Sequence, residues 1–161
     1  MKRGYCGIGL DNPKDEINVG SAIRAAGVYG AAFVAASGQR FRSAKTDTGA
    51  FYRTMPFFRP KDVFDLMPYD CIPVAVDLID TAIALPEYEH PERAFYIFGA
   101  EDATLGERVT SRCKDVVYIP TRFCMNLAAT VNVVLYDRMV KRGEFQQVYK
   151  FNQSETERGE S

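Results

Sequence analysis

The amino-acid sequence predicts an α/β domain with a mostly parallel sheet and helices on both faces. Two observations support this prediction: short apolar runs recur along the chain, and segments with helical spacing separate them. Buried parallel strands are near-continuous apolar runs, and strands that alternate with helices are typical of βαβ units. The predicted strands are YCGIGL (5–10), AAFVAA (31–36), CIPVAVDL (71–78), AFYIFG (94–99) and VVYIP (116–120).

Helical patterns fill the intervals between these strands. The first helix is predicted near 18–29, with Asn18 as its N-cap and Gly30 just beyond its end. Its small residues keep it thin, and because glycine within a helix costs ~1 kcal/mol relative to alanine, they indicate a close packing partner or a ligand. Further helices are expected near 61–67, 81–85 and 103–113, and a long last helix from about 126 to 142.

Length and composition are those of one globular domain. The chain has 161 residues, of which 47% are hydrophobic and 25% charged. No segment approaches the ~20 apolar residues of a membrane span, and acidic residues follow the N-terminus too soon for a signal peptide, so we expect a cytoplasmic protein. We predict a single domain over 1–151 and a disordered polar tail, NQSETERGES, over 152–161.

Cysteine and histidine usage excludes several classes of site. The four cysteines show no paired spacing and are expected to be buried, reduced thiols; the single histidine, His90, precedes a proline and is expected in a loop. A metal centre and a disulfide framework are therefore not predicted. The sequence also lacks the glycine-rich phosphate loops of nucleotide-binding proteins and the motifs of serine and zinc hydrolases.

A basic, aromatic segment covers residues 38–61. It carries Arg40, Arg42, Lys45 and Arg53 among phenylalanine and tyrosine side chains. Basic groups follow phosphates and rings stack on bases, so one interpretation is a nucleic-acid surface. The other is a solvated loop whose aromatic side chains anchor it in the core. The segment alone does not decide between them.

Three segments that follow predicted strands are rich in Gly, Asn, Pro and Glu: INVGSAIRAAGVYG, YIFGAEDATLGERV and YIPTRFCMNLAATVNVVLYDRM. Ligands of open α/β sheets bind beyond the carboxyl ends of the strands, so two of these loops are candidate walls of a pocket. Glycine at position 99 would let a ligand meet the backbone directly. The alternative is that these are ordinary turns between strand and helix, with Asn126 serving only as an N-cap.

These segments resemble, in order, the three motifs of the SpoU/TrmH family of SPOUT-class RNA ribose 2′-O-methyltransferases, including its minimal, TrmL-like members that modify the wobble position of tRNA. The first motif is matched by Asn18, Gly20, Arg24 and Gly30, and the second by Gly99, Glu101 and Leu105. The third is matched by Ile119-Pro120, by Cys124-Met125-Asn126 and by Tyr136-Asp137. The resemblance spans residues 5 to 139.

The sequence departs from the family pattern at three positions. Cys124 and Met125 stand where the third motif has serine and leucine, and Thr104 stands where the second motif usually has glycine. Contacts made by the main chain survive such changes, whereas a contribution from a serine hydroxyl does not survive intact.

The resemblance implies a deep trefoil knot near the C-terminus, S-adenosylmethionine as cofactor, RNA as substrate (tRNA before rRNA) and a homodimer. It implies a cofactor site formed by Val76, Gly99, Ile119, Cys124, Met125 and Leu127. It also implies that the last helix, with Leu127, Val131, Val134 and Leu135 on one face, supplies much of the dimer contact.

The resemblance further implies catalytic roles for Arg24, Glu101, Asn126 and Asn18. Because a guanidinium stays protonated, we expect Arg24 to stabilise a developing alkoxide and hold a phosphate rather than act as a base. Glu101 would orient Arg24 or accept the proton, and the two asparagines would hold the ribose and the loops. Two alternatives remain: a non-catalytic RNA-binding module with the same fold and, with less support, a methyltransferase acting on a base or a protein side chain.

Overall fold

The structure, a computed structural model, describes residues 3–42 and 50–144. Within these ranges the strands are β1 Tyr5–Leu10, β2 Phe33–Ala36, β3 Phe57–Phe58, β4 Ile72–Val76, β5 Ile83–Ala84, β6 Arg93–Phe98 and β7 Asp115–Tyr118. They form one sheet in the order β3-β2-β1-β6-β4-β7-β5, and every pairing is parallel. The predicted parallel α/β sheet is confirmed. The trefoil knot and the boundary at residue 151 stay predictions, and the tail 152–161 lies outside the described residues.

Helices cover both faces of the sheet. The α-helices are α1 Glu16–Val28, α2 Glu107–Thr110 and α3 Leu127–Lys141, and 3₁₀ turns lie at Phe51–Arg53, Val63–Leu66 and Leu85–Glu87. The two long helices, α1 and α3, pack against each other and share one core with the sheet. The opposite core lies under α2 and the 3₁₀ turn at Val63–Leu66. Among the described helices, none is long and apolar enough to cross a membrane.

Strand β1 shows how the sequence separates the two faces. Ile8 and Leu10 are fully buried in the core beneath α1 and α3. Gly7 points to the other face, where a Cβ atom would lie 2.4 Å from Cζ of Phe33. Phe33 stacks on Phe95 with ring centroids 5.6 Å apart. The glycine therefore makes room for an aromatic layer that a larger side chain would displace.

Helix α1 begins one turn earlier than predicted. Asp15, not Asn18, is the N-cap, and its carboxylate accepts a hydrogen bond from the Ile17 amide at 2.7 Å. The predicted C-terminal glycine is correct: Gly30 has a φ of 71°, which favours glycine. Because the cap lies three residues upstream, the Asn18 side chain is available for another partner.

The small residues of α1 do have a close packing partner. A Cβ atom at Gly27 would lie 2.3 Å from Cδ1 of Phe51, which follows the undescribed segment 43–49. Ala22 and Ala26 are fully buried in the core that α1 shares with α3. The thin helix is thus explained by packing within the chain.

One predicted helix is wrong, and another is longer in the prediction than in the structure. The expected helix at 81–85 is instead strand β5 followed by a 3₁₀ turn with Pro86 in its first turn, because proline cannot donate the hydrogen bond that a helix requires. The helix expected over 103–113 is only α2, because Gly106 has a φ of 70° and ends the preceding loop. The short segment β3 was not predicted.

Four apolar residues of α3 are not available for a dimer contact. Leu127, Val131, Val134 and Leu135 are at most 5% exposed and belong to the core of the chain itself. The expectation that they supply the dimer interface is therefore wrong. The expectation of four buried thiols is also only partly right, since Cys113 is half-buried and Cys124 is exposed.

The C-terminal half of α3 anchors the amino ends of the central strands. Arg138 is 2% exposed, and its guanidinium donates to the carbonyl oxygens of Tyr5, Pro91 and Glu92 at 2.7 to 3.2 Å. It also donates to the Tyr96 hydroxyl at 3.2 Å. One buried cation thereby donates to carbonyl groups where β1 and β6 begin, in addition to the bond that the Glu92 carbonyl accepts from the Tyr5 amide.

His90 lies in a loop, as predicted, but its side chain belongs to the same buried cluster. Its side chain is 0% exposed. Its Nδ1 lies 2.5 Å from the Tyr96 hydroxyl and its Nε2 lies 2.8 Å from Asp137. The Tyr96 hydroxyl donates to Nδ1, so the neutral ring donates from Nε2 to Asp137. Burial lowers the pKa of His90, although Asp137 opposes that change and Lys141 adds to it.

We predict that this histidine makes folding stability fall in mild acid. Since its pKa is lowered in the folded state, only the unfolded chain takes up a proton as the pH falls below about 6.5, and stability is lost. His90 is the only histidine of the sequence. Between pH 7.5 and 5.5 the free energy of unfolding should drop, by at most ~1.4 kcal/mol because protonation of the unfolded imidazole sets that limit, as measured by urea denaturation. The same drop in His90→Gln would contradict this assignment.

Candidate functional site

A cavity of about 500 Å³ opens at the carboxyl end of the sheet. Its walls are the loops that follow β4, β6 and β7 and the first turn of α3. Because β6, β4 and β7 are adjacent in the sheet, these loops are neighbours although they lie far apart in sequence. The lining residues are Val76, Asp77, Leu78, Phe98, Gly99, Ala100, Glu101, Ala103, Tyr118, Ile119, Pro120, Thr121, Arg122, Phe123, Cys124, Met125, Leu127 and Thr130.

All six residues that the sequence motifs assign to a cofactor line this cavity: Val76, Gly99, Ile119, Cys124, Met125 and Leu127. Gly99 sits in a narrow position, where a Cβ atom would lie 3.3 Å from both the Ala103 carbonyl oxygen and Cγ of Leu105. Val76 and Leu127 are buried, whereas Cys124 is exposed at the rim. The structure thus brings the predicted set together in one place.

Asp77 connects two of the loops, and sequence reasoning gave it no role. Its Oδ2 accepts a hydrogen bond from the Leu105 amide at 2.8 Å, and its Oδ1 accepts from the Leu78 amide at 2.8 Å. The Leu105 side chain is 5% exposed and lies against Gly99. One carboxylate at the end of β4 therefore holds the loop after β6 closed over the cavity. The sequence feature that could have identified Asp77 is its position directly after an apolar strand.

Glu101 is held at the mouth of the cavity by the loop before α1. Its Oε1 accepts from Nδ2 of Asn18 at 2.8 Å, and its Oε2 accepts from the Lys14 amide at 3.3 Å. The neighbouring Asp102 accepts from Arg40 at 2.7 Å. This guanidinium holds the pKa of Asp102 below its usual range. Two of the predicted catalytic residues, Asn18 and Glu101, are thus in direct contact.

Of the four predicted catalytic residues, all of which the structure describes, only Glu101 lines the cavity, whereas Asn18, Arg24 and Asn126 do not. Asn126 is the N-cap of α3, and its side-chain oxygen accepts from the Ala129 amide at 2.8 Å. Arg24 is exposed on α1, six residues after Asn18 and so ~9 Å further along the helix.

The predicted RNA-binding residues have different environments. Arg40 pairs with Asp102 and is one-third exposed. Arg42 is exposed beside α1, where its amide donates to Glu16 at 3.0 Å. Arg53 is exposed in the 3₁₀ turn, and Lys45 lies outside the described residues.

The aromatic residues of the segment 38–61 support both interpretations of it, the nucleic-acid surface and the loop anchored in the core. Phe41 is 2% exposed beneath the guanidinium of Arg59, which lies 4.5 Å from its ring centroid, so it anchors the core. Tyr52 and Phe58 are 48% and 42% exposed. The segment therefore combines a core anchor with rings that remain accessible on the surface.

This fold is shared with solved methyltransferase structures. The SpoU methyltransferase AviRb from Streptomyces viridochromogenes, in complex with AdoMet, superposes with a TM-score of 0.78 at 21% identity, over 88% of this chain and 59% of that one. The A. aeolicus TrmH/SpoU tRNA modifying enzyme superposes with a TM-score of 0.77 at 15% identity, over 90% of this chain and 79% of that one. A structure concerned with the 2-OH methylation of C/U34 on tRNA superposes with a TM-score of 0.74 at 19% identity, over 89% of this chain and 94% of that one.

The sequence identifies the family. A model of the SpoU rRNA Methylase family matches residues 6–136, which include every lining residue of the cavity. The chain therefore belongs to the SpoU rRNA methylase family. It spans about three-fifths of the length of AviRb, at 62% and 59% of the two AviRb chains. No curated protein matches its sequence.

We predict that Asp77→Ala opens the loop after β6. Because the Leu105 amide would lose its acceptor, its hydrogen exchange, measured by NMR, should accelerate at least about fivefold. The Ile8 amide, in the middle of the central strand β1, should keep its protection, which controls for global destabilisation. Unchanged exchange at Leu105 would show that the carboxylate does not hold the loop.

Proposed function

We propose that the protein is an S-adenosylmethionine-dependent RNA ribose 2′-O-methyltransferase that acts on tRNA. The observation that carries the proposal is that the second and third motif segments line one cavity at the carboxyl end of the sheet, and that Asn18 of the first segment donates a hydrogen bond to Glu101 in its wall. Family membership and the likeness to AdoMet-bound AviRb support the choice of cofactor. The likeness to two tRNA-modifying proteins supports the choice of RNA.

The cavity fits a cofactor of this kind. Small-molecule sites measure ~300–1,000 Å³ and are lined mainly by apolar groups with a few polar ones, and this cavity of about 500 Å³ lies in that range. Gly99, Ile119 and Met125 would hold the cofactor through main-chain atoms, with Val76, Cys124 and Leu127 around it. When bound, S-adenosylmethionine supplies an electrophilic methyl group on a sulfonium centre.

The chain's own residues account for activation of the ribose. A 2′-hydroxyl is a poor nucleophile until its proton leaves, and Glu101 at the mouth of the cavity would accept that proton. The hydrogen bonds from Asn18 and the Lys14 amide fix the orientation of the carboxylate. Arg24, supplied to the site by a second copy of the chain, would stabilise the developing alkoxide and hold the adjacent phosphate. Asn126 would keep the loop after β7 in place by capping α3.

A homodimer would use the outer face of α1 and α3. Exposed apolar side chains occur at helical spacing on each helix: Ile17 and Val28 on α1, Tyr136 and Val140 on α3, each between 42% and 59% exposed. Arg24 lies between Ile17 and Val28 on the α1 stripe. A second copy packed on this face would cover the apolar groups and bring Arg24 of one chain towards the site of the other. We propose this arrangement in place of the interface expected from the sequence.

RNA would approach across the basic residues near the mouth. Arg42 is exposed beside the first turn of α1, Arg53 is exposed in the 3₁₀ turn that packs against the last turn of α1, and Lys45 lies between them in sequence. Arg40 is already paired with Asp102, so we propose that it orders the loop beside Glu101 more than it binds phosphate. Replacing Arg42, Lys45 and Arg53 together should lower the salt dependence of RNA binding.

A non-catalytic RNA-binding module remains the second candidate, because the exposed Cys124 stands in the cavity where the family has serine. One experiment separates the two. The purified protein is incubated with labelled S-adenosylmethionine and bulk tRNA or rRNA, and products are mapped by mass spectrometry. A 2′-O-methylated nucleotide supports the enzyme, whereas the absence of both transfer and cofactor binding supports the module.

We predict that Arg24→Ala loses methyl transfer but keeps cofactor affinity. Loss of one donor to a developing oxyanion costs roughly 10²–10³-fold in rate, so turnover of tRNA should fall at least a hundredfold. Arg93→Ala is a matched control, since Arg93 is exposed at the amino end of β6 and pairs with Asp70. Undiminished turnover in Arg24→Ala would remove Arg24 from the mechanism.

A further inference from the structure

Two large apolar side chains stand exposed at the rim of the same cavity. Phe123 is 85% exposed and Leu78 is 68% exposed, and both line the cavity. They lie on the loops after β7 and β4, which are adjacent strands. Single exposed apolar residues are common on protein surfaces. A pair at the mouth of one cavity, on neighbouring loops, instead indicates a surface that contacts a ligand.

The chain fixes the loop that carries Phe123. The Thr121 hydroxyl donates to the Phe123 carbonyl oxygen at 2.8 Å, which closes a tight turn directly after Pro120. Arg122, between them, is also exposed and also lines the cavity. An aromatic ring and a guanidinium are therefore presented side by side in a constrained turn.

The opposite wall of the mouth is polar. Glu101 lines that side and accepts hydrogen bonds from Asn18 and from the Lys14 amide, and Arg40 pairs with the neighbouring Asp102. A molecule entering the mouth meets hydrogen-bonding groups on one side and apolar surface on the other. A nucleotide has this same division, with a polar ribose and phosphate on one side and a flat base on the other.

We propose that Phe123 and Leu78 form a slot that stacks the base of the target nucleotide, with Arg122 holding a neighbouring phosphate. This inference rests on the proposed function and specifies its substrate: an unpaired nucleotide in a single-stranded loop, splayed out of its stack. Such bases are the ones that proteins stack on aromatic side chains, whereas paired bases of an RNA helix stay inaccessible.

The slot determines where the ribose lies. A base stacked against Phe123 would lie in the same cavity as Glu101, which a different loop contributes, so the ribose and the carboxylate would share one space. Stacking is tolerant of sequence, since every base has a flat face. The slot therefore selects an unpaired nucleotide without selecting which base it carries.

The test compares Phe123→Ala with Phe123→Trp, which keeps a stacking surface, and with Tyr69→Ala as a matched control. Tyr69 is 97% exposed but precedes β4, at the opposite end of the sheet. Initial rates are measured against bulk tRNA concentration, and affinity for S-adenosylmethionine is measured by calorimetry. Binding of a fluorescent single-stranded RNA and of its duplex is followed by anisotropy.

Phe123→Ala should raise the KM for tRNA and weaken single-stranded RNA binding by about fivefold or more, which corresponds to ~1 kcal/mol of stacking at 1.4 kcal/mol per factor of ten. Duplex binding, cofactor affinity and oligomeric state should stay unchanged, and Phe123→Trp and Tyr69→Ala should behave like the parent chain. Arg122→Gln should lower the salt slope of single-stranded RNA binding by roughly 0.7.

Three results would overturn the slot. Unchanged single-stranded RNA binding in Phe123→Ala would remove the stacking role. An equal loss of cofactor affinity would assign the ring to the adenine of S-adenosylmethionine, and dissociation into monomers would assign it to a protein interface. If the parent chain transfers no methyl group yet Phe123→Ala still weakens single-stranded RNA binding, the proposed enzyme fails while the slot stands.

Discussion

The site depends on the parallel register of three central strands. Val76 is the partner of Phe98 on one side and of Val117 on the other, so β6, β4 and β7 end at nearly the same level. After each of these strands the chain continues into a loop, and all three loops leave from the same edge of the sheet. A parallel arrangement leaves these loops free to converge, because each connection must return to the other end before the next strand begins. The cavity is a consequence of that register.

The two ends of the sheet have different stabilising groups. At the amino end, polar groups are buried and paired: Arg138 satisfies carbonyl oxygens, and His90 links Tyr96 to Asp137. At the carboxyl end, the loops are joined by exposed or partly exposed contacts such as that between Asn18 and Glu101. Buried, fully paired networks are rigid, whereas solvated contacts exchange readily. Helix α3 connects both ends, since it begins at the cavity and ends in the buried cluster.

Much of the architecture was predictable because it follows from local pattern. The apolar runs marked the five longer strands, and the glycine at position 30 marked the end of α1. Contacts between distant segments were not predictable in this way. Asp77 and Leu105 are separated by 28 positions, and no local pattern relates the carboxylate to that amide. The burial of the His90 side chain was not predictable for the same reason, since its partner Asp137 is 47 positions away.

The site was predicted through the order of its motifs rather than through geometry. Motifs name residues whose type is constrained, so they identified Gly99 and Glu101 correctly as neighbours of one cavity. They carried no information about Phe123 and Leu78, because an exposed apolar side chain in a loop has the same sequence signal as one on any surface. Only the placement of both on one rim separates them from Tyr69, which is more exposed than either but lies elsewhere. The part of the site that we propose to contact the substrate is therefore the part that requires the structure.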